Sequence, residues 1–334
     1  MLKSLTSGIC RFSSAAAVLG VGAALAFAPQ AEAKVRVAYG DIASVENLHL
    51  LAAFELAKQK GVEVEMTYLK SEDIAAQAVV SGQADIGVGG PYALIQKVKV
   101  PVRIFLQLST LRFYPAVNAE FYKTWKDLDG QEVAVHSRGS GTEAIMKLME
   151  QRQGIKFSKI SYIPGSEVRT GALLQGNVKA TIVDSAGRRL LEEKAPGKFV
   201  ILPMEGVNAT DESLFARQDY LDNNAKEVDV IVESILTTWR EVTKNPAIVA
   251  EWRTKYNLLP DLPADQVAEI VPYFTELAEG KAFPLNGGGE AAAKDDFAFY
   301  TLAGQLTGEP ASLKVDEFWA LEPLNRALGK VGTN

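Results

Sequence analysis

The sequence is poor in the residues that support covalent and metal chemistry. It contains one cysteine, Cys10, and two histidines, His49 and His136. A single cysteine excludes an internal disulfide and a multi-cysteine metal site, and the two distant histidines do not have the spacing of metal ligands. We therefore expect a protein whose binding site uses no metal and no cofactor.

Long apolar runs are also lacking, except for one near the N-terminus. Residues 15–28 are apolar, follow a basic start, and precede Ala31, Glu32 and Ala33, a pattern typical of a cleavable secretory signal. The run is too short to cross a bilayer comfortably, since a span needs ~18 residues or more. The pattern predicts a signal peptide over residues 1–33 and a periplasmic mature protein that does not span the membrane.

Positive charge is in deficit as well. Lysine and arginine number 35 against 41 aspartates and glutamates, which gives a formal net charge of −6. Because residues 1–33 carry a net +1, the remaining chain carries −7. Neutralising phosphates requires a basic face, so nucleic acid is not expected as a partner. A chain of 334 residues forms one or two domains.

What the sequence does contain is an alternation of short apolar strands and helices, repeated in two units. Strands are predicted at 34–40, 62–69, 84–90, 102–110, 132–137, 160–165 and 179–185, with helices between them at 45–60, 73–80, 142–153 and 166–174. This order predicts mostly parallel sheets with helices on both faces. In such sheets, ligands bind in the loops at the carboxyl ends of the strands.

Two stretches support a pair of similar lobes that face each other across a cleft. Residues 74–90 and 169–185 each read as a helix, a glycine, and a strand that ends in a polar turn. From residue 227 onward the pattern is helical, and we expect these helices on the outside of the lobes. The aromatic residues of this region should lie in the core: Trp239, Trp252, Phe274 and Trp319.

The loop between the strand at 132–137 and the next helix is a candidate ligand site. Ser137 to Thr142 is rich in glycine and hydroxyl side chains, and the unpaired N–H groups of a helix start favour an anion. The alternative is that Ser140 or Thr142 only caps the helix, as such residues usually do.

Three segments resemble the periplasmic substrate-binding proteins of nitrate/sulfonate/taurine-type ABC transporters, a group that also includes binders of thiamine precursors. They are VSGQADIGVGGPYALIQK (80–97), DLDGQEVAVHSRGSGTEAIMKL (127–148) and GALLQGNVKATIVDS (171–185). The resemblance implies an α/β fold, the type II periplasmic-binding-protein fold. Each of its two lobes is a mixed, mostly parallel sheet flanked by helices, and the ligand cleft lies between the lobes.

The resemblance also implies a function and a division of the chain. The protein would be a monomeric solute-binding component of an ABC importer that delivers a small molecule to an inner-membrane permease. A receptor for a sensor kinase or for another transporter class is an alternative. After the signal peptide, residues 34–113 would form lobe 1, residues 114–205 lobe 2, and residues 206–334 the return to lobe 1 with packing helices.

The resemblance places the binding residues in the turns that follow the strands. On lobe 1 these are Asp41, Ser44, Gly90, Tyr92, Ser109 and Thr110. On lobe 2 they are Ser137, Arg138, Ser140, Gly141, Thr142, Ser166, Arg169, Asp184 and Ser185. The loop from Ser137 to Thr142 should then face the turn from Gly89 to Tyr92 across the cleft.

The charge of the solute is left open by the sequence. Arg138 and Arg169 offer the planar fork that suits a carboxylate or sulfonate, which favours a small organic anion. Acidic and aromatic residues favour instead a neutral or amine-bearing, pyrimidine-like solute: Asp41, Glu46, Asp184, Tyr92, Phe113, Tyr114 and Tyr162.

An enzyme on the same fold is the main rival from another functional class. Pyrimidine synthases related to this family use a cysteine-rich iron motif, which a chain without cysteine after residue 33 does not provide. The G-x-S-x-G motif of serine hydrolases is also missing around Ser140. We therefore expect a binding protein without catalytic residues.

Overall fold

The structure is a computed structural model that describes residues 34–333, so the predicted signal peptide lies outside the described residues. Ten strands form two sheets of five strands each. In chain order they are β1 (Val35–Tyr39), β2 (Val64–Tyr68), β3 (Ile86–Gly89), β4 (Val102–Gln107), β5 (Tyr114–Asn118), β6 (Glu132–Val135), β7 (Lys159–Tyr162), β8 (Ala180–Val183), β9 (Phe199–Ile201) and β10 (Ser213–Arg217).

Helices flank both sheets and make up most of the C-terminal third. They are α1 (Leu48–Gln59), α2 (Glu72–Val80), α3 (Tyr92–Lys97), α4 (Gly141–Gln153), α5 (Ser166–Leu174), α6 (Ser185–Lys194), α7 (Gln218–Asn223), α8 (Ala225–Lys244), α9 (Ile248–Tyr256), α10 (Ala264–Glu279), α11 (Gly289–Leu302), α12 (Val315–Phe318) and α13 (Glu322–Val331). Within residues 34–333, no helix has both the length and the apolar character that a bilayer crossing would require.

The two sheets have the same topology. The first has the order β2-β1-β3-β10-β4 and the second β7-β6-β8-β5-β9. In each sheet the fourth strand runs antiparallel to its neighbours, and the other four strands run in one direction. This confirms the predicted α/β fold with two mixed, mostly parallel sheets. The chain passes between the sheets twice, after β4 and after β9, while the lobe boundaries at residues 113 and 205 stay a prediction.

The side chains of β1 alternate between the two faces of the first sheet, as the period of a strand requires. Val35, Val37 and Tyr39 are buried beneath α1, α8 and α13, while Ala38 packs on the opposite face. That opposite face belongs to a hydrophobic cluster which continues into α4 and β6 of the second sheet. This cluster therefore contacts both sheets, while separate clusters cover the other face of each sheet.

The C-terminal helices only partly follow the prediction of outer packing. Trp239, Phe274 and Trp319 are buried as expected, whereas Trp252 is half-buried. Helix α10 packs not only on α8 and α9 but also on α6, which belongs to the other sheet. On its other side, Phe274 of α10 packs in an aromatic cluster with His49 of α1 and with Phe283. The sequence pattern showed that α10 is amphipathic but not which element it covers.

The close approach of β3 and β10 gives a test of this packing. A methyl group at Gly87 would lie 2.2 Å from the Phe215 ring, whereas a methyl group at Gly171 in α5 meets nothing within 4 Å. We predict that Gly87→Ala destabilises the fold by about 1–3 kcal/mol through overpacking. Gly171→Ala should instead stabilise it by about 0.5–1 kcal/mol, because alanine is the better helix former.

Urea unfolding of the two variants beside the parent chain measures both effects. Equal midpoints for the two variants would contradict the packing described for β3 and β10.

Candidate functional site

The turns at the carboxyl ends of the strands of both sheets meet in one place. His136, after β6, lies with its Nε2 2.9 Å from the carbonyl oxygen of Gly40, after β1. The Gln305 side chain donates to the carbonyl of Ser140 at 3.2 Å, and the N–H of Glu72 lies 3.4 Å from the Ser137 hydroxyl oxygen. These contacts join the strand ends of the two sheets, so the described conformation is a closed one.

Two adjoining cavities lie between these turns. The aromatic cavity, of about 60 Å³, is lined by Tyr273 and Phe283 together with Asp184 and Ser185. The polar cavity, of about 30 Å³, lies against Arg169. Four residues line both cavities and form the junction between them: Glu46, Phe113, Asp211 and Glu212. The cavities are therefore two parts of one elongated site.

Most of the residues predicted for the site line one of the two cavities. Ser109, Thr110, Asp184 and Ser185 line the aromatic cavity. The polar cavity is lined by Asp41, Ser140, Gly141, Thr142, Ser166 and Arg169. Each of them follows a strand or begins a helix at the carboxyl end of a sheet, which is the placement that the fold class favours.

Three predicted residues sit beside the cavities without lining them. Ser44 is buried, and its backbone N–H donates to the Asn47 side chain at 2.9 Å. Gly90 donates its N–H to the carboxylate of Glu72 at 2.5 Å, and Ser137 lies beside the N–H of the same residue. The loop from Ser137 to Thr142 and the turn after β3 thus meet at Glu72.

Tyr92 lies in the core instead of the cleft. Its hydroxyl donates to Asp296 at 2.5 Å and accepts from the indole N–H of Trp319 at 2.9 Å. Its ring is stacked on Tyr300 with 4.9 Å between centroids. An amphipathic tyrosine at the start of α3 satisfies its hydroxyl inside the protein, so α3 turns this side chain away from the cavities.

Arg138 also lies away from both cavities. It is exposed and lines a separate cavity of about 300 Å³ with Lys97, Lys147 and Tyr162. Its guanidinium carbon is 5.8 Å from the centroid of the Tyr162 ring. Neither cavity of the cleft is lined by Tyr162 or by Tyr114.

Arg169 is buried in the polar cavity wall and is held by backbone carbonyls. Its Nε donates to Ile182 at 2.9 Å and its Nη1 to Ile163 at 3.0 Å. Burial lowers its pKa, and the neighbouring carboxylates of Asp41 and Asp184 oppose that shift. An arginine keeps its charge in proteins, so Arg169 is a fixed cation that ties together the ends of β7 and β8.

Carboxyl groups dominate the walls of the cleft. The junction residues Glu46, Asp211 and Glu212 are joined by Asp41 and Glu72 in the polar cavity and by Asp184 in the aromatic cavity. Burial raises the pKa of Glu72 to about 8, against the opposing hydrogen bond from Gly90. Burial likewise raises the pKa of Glu212 to about 7 and places those of Glu46 and Asp211 well above their ordinary values.

These shifts have two physical causes. A carboxylate loses hydration when it is buried in the closed cleft, and the neighbouring carboxylates repel its negative charge. The ligand-free closed site therefore holds protons that a bound cation could replace.

His136 and His49 are both neutral in this environment. Burial lowers the pKa of His136, and the attraction of Asp41 opposes the shift. With its Nδ1 3.4 Å from the N–H of Gly165, the ring accepts there and donates through Nε2 to Gly40. Burial lowers the pKa of His49 to about 3, and its Nδ1 accepts from the indole of Trp239 at 3.1 Å.

Several cleft residues were not among the predicted site residues. Glu72 begins α2, and Asp211 and Glu212 lie in the crossover that precedes β10. An acidic pair at the crossover was a detectable signal, since crossover segments border the cleft in this fold. His49, Tyr273 and Phe283 come from helices or loops that only the tertiary fold brings to the cleft.

An ion-pair network lies beside the aromatic cavity and bridges α6 and α10. Arg189 of α6 pairs with Glu269 at 2.8 Å and also with Glu276, both on α10. The same two helices carry cavity residues, Ser185 on α6 and Tyr273 on α10. We call the Arg189–Glu269–Glu276 network the α6–α10 latch, because it joins elements of the two sheets in the closed conformation.

Among residues 34–333, no group of three or more metal-ligating side chains is placed to hold an ion. The cleft instead combines carboxylates, hydroxyls and aromatic rings around a small enclosed volume. This arrangement can desolvate a small molecule and supply acceptors to its N–H groups.

The NMT1/THI5-like family model matches residues 57–248, which is more than half of the chain. No curated protein sequence matches the chain.

Solved structures with low sequence identity share its fold. One from Bordetella bronchiseptica RB50 is 21% identical, with a TM-score of 0.73, and the match covers 90% of this chain and 98% of that one. The periplasmic nitrate-binding protein NrtA from Synechocystis PCC 6803 is 13% identical, with a TM-score of 0.68 and coverage of 90% and 89%. A putative periplasmic sulfonate-binding protein SsuA from Methylobacillus flagellatus KT is 18% identical, with a TM-score of 0.60 and coverage of 90% and 96%.

The buried carboxyls predict a definite pH dependence of stability. A group with a raised pKa in the folded state binds its proton more tightly there than in the unfolded chain. For Glu72 that stabilisation is complete below its ordinary value of 4.5 and is lost as the pH rises through about 8. The melting temperature of the ligand-free protein should therefore fall between pH 5 and pH 8, and Glu72→Gln should flatten this decline.

Differential scanning calorimetry across that range checks the prediction, with Glu65→Gln as the control. Glu65 is an exposed carboxylate on the preceding strand, so its variant should follow the parent profile. Parallel profiles for the parent and Glu72→Gln would show that Glu72 is ionised in the folded protein throughout.

Proposed function

Because this chain belongs to the NMT1/THI5-like family, we propose that it is the solute-binding component of an ABC importer. It captures a small molecule in the cleft between its two sheets and delivers it to an inner-membrane permease. The predicted signal peptide supports a periplasmic location. The shared topology of the sheets and the closed contacts at their strand ends support a binding protein that works by closure and performs no catalysis.

The solute that the geometry supports best is a cation that carries an amine. The observation behind this proposal is the placement of six carboxyl groups in the cavity walls while Arg138 lies outside them. Arg169, the other arginine expected to read an anion, already uses two of its donors on backbone carbonyls. An anion would oppose the ionisation of Glu46, Asp211 and Glu212, whereas an ammonium group would favour their charged form and find acceptors there.

The aromatic walls support a ring or another apolar body on the solute. Phe113 lies at the junction, and Tyr273 and Phe283 face the aromatic cavity. Aromatic faces attract cations and pack against rings. A heteroaromatic molecule with a protonated aminoalkyl group, such as an aminomethylpyrimidine, therefore suits this cleft better than the small organic anion that the arginines first suggested.

Two structures with the same fold are named as nitrate-binding and sulfonate-binding proteins, and nitrate and sulfonates are anions. The cationic ligand proposed for this chain therefore differs from theirs in charge. Each charge-assisted hydrogen bond contributes roughly 1.5–3 kcal/mol. Three or four of them with apolar burial reach about −8 kcal/mol, which corresponds to micromolar affinity.

A matched set of small ligands tests the charge of the solute. In thermal-shift measurements, benzylamine and 4-(aminomethyl)pyrimidine, both cations at neutral pH, should raise the melting temperature, whereas benzoate, methanesulfonate and nitrate should not. Saturation at 100 times the dissociation constant stabilises the folded state by roughly 2.7 kcal/mol, which is readily measured. Glu212→Gln should weaken amine binding about tenfold, or ~1.4 kcal/mol.

Arg138→Ala is the informative control, since it should leave amine binding unchanged. A response to the anions alone, abolished by Arg138→Ala, would contradict the proposal and restore an anionic solute.

The α6–α10 latch gives an independent test of closure. Removing Arg189 deletes the ion pairs between α6 and α10, which pack on different sheets, so Arg189→Ala should favour the open form. We expect about fivefold weaker amine binding, since exposed ion pairs contribute up to ~1 kcal/mol. Small-angle X-ray scattering should show a larger radius of gyration for the ligand-free variant.

Arg326→Ala is the matched control, because Arg326 pairs with Asp229 at 2.9 Å between α13 and α8 on one side of the molecule. Equal affinities for the two variants would show that the latch does not control closure.

A further inference from the structure

The number of carboxyl groups in the cleft exceeds the number that one ammonium group can hydrogen-bond. Six line the cavities, and the guanidinium groups nearby are those of Arg169 and Arg112. Arg112 lines the aromatic cavity, is exposed, and donates to the carbonyl of Gly280. A solute with a single ammonium group, which has three N–H donors, would leave other acceptors of the cleft unused.

The carboxyl groups also extend to both ends of the elongated site. Asp41 and Glu72 line only the polar cavity, and Asp184 lines only the aromatic cavity. The three acidic junction residues lie between these ends. Acidic side chains therefore line the whole length of the site.

At the aromatic end, two acceptors that line the cavity have no hydrogen-bond partner in the protein. Asp184 is 8% exposed, and only its Oδ1 accepts a hydrogen bond, from the N–H of Gly187 at 2.7 Å. Ser185 is 5% exposed, and no residue among 34–333 hydrogen-bonds its hydroxyl. The free oxygens of both residues border the cavity, so this end can receive a donor group of a ligand.

At the polar end, Asp41 also has an oxygen without a donor. Its Oδ1 accepts from the N–H of Ile42 at 2.6 Å, whereas its Oδ2 lies 3.5 Å from Nδ1 of His136. That nitrogen accepts from Gly165 and therefore carries no proton to donate. Both ends of the site thus present an acceptor that the protein itself does not satisfy.

We propose that the solute carries two cationic groups, one at each end of an apolar spacer, and that the two cavities each hold one of them. This inference rests on the proposed function and names the substrate class of the same site. The Asp184 carboxylate and the Ser185 hydroxyl receive one ammonium or amidinium group, and Asp41 with Glu72 receives the other. The spacer packs against Phe113 at the junction.

Isosteric pairs of amines test the second charge. 1,4-Diaminobutane and pentylamine differ only in a terminal ammonium against a methyl group, as do p-xylylenediamine and 4-ethylbenzylamine. By isothermal titration calorimetry, the diamine of at least one pair should bind about ten- to one-hundredfold tighter than its monoamine.

Asp184→Asn separates this effect from folding defects. Asparagine caps a helix as well as aspartate does, so α6 should keep its start. The variant should reduce the advantage of the diamine over its monoamine to less than about threefold. Glu193→Gln makes the same change of charge at an exposed position of the same helix and should keep the full advantage.

The outcomes are distinguishable. Equal affinity of diamine and monoamine in both pairs would overturn the dication while leaving the proposed amine-binding function in place. If Glu193→Gln also loses the tighter binding of the diamine, that difference arises from long-range charge, and the assignment to Asp184 is wrong. If none of the four amines binds at millimolar concentration, both the dication and the proposed function are wrong.

Discussion

The burial of carboxyl groups around Arg169 is the constraint on which the cleft depends. Arg169 bonds the carbonyls of Ile163 and Ile182 and brings a fixed positive charge to the carboxyl ends of β7 and β8. Because the carboxyls outnumber the cations, closing the cleft without a ligand costs desolvation and repulsion, which appear as the raised pKa values of Glu72 and Glu212. A cationic solute removes that cost, so closure and binding are coupled through the same charges.

The shared topology of the two sheets explains how such a cleft forms. Each sheet brings the carboxyl ends of its parallel strands to one edge, and the chain crosses between the sheets next to those edges. Asp211 and Glu212 reach the cleft because they lie on the second crossover, directly before β10. Helix α10 completes the wall of the aromatic cavity, and its ion pairs with Arg189 connect it to α6.

Much of the fold and part of the site could be predicted from the sequence. Most strands and helices up to residue 183 follow local patterns of apolar residues and glycine stops, and their order decides the sheet class, although β5 and α3 were not among the predicted elements. The turns after the strands then place residues such as Asp41, Ser140 and Asp184 near a ligand. Side-chain direction was less predictable. Tyr92 turns into the core to bond Asp296, and Arg138 points to a separate cavity, because contacts far along the chain decide both orientations.

The sequence by itself determined the fold class, the repeated α/β unit, the predicted export signal and the acidic balance of the chain. Local spacing and composition carry those properties without knowledge of distant contacts. Only the tertiary structure decided which charges meet in the cleft. Glu46, Glu72 and the adjacent pair Asp211 and Glu212 come from three distant parts of the chain, and their shared electrostatic environment exists only after both sheets have formed and closed. The preference for a cationic solute therefore follows from the fold and not from any single motif.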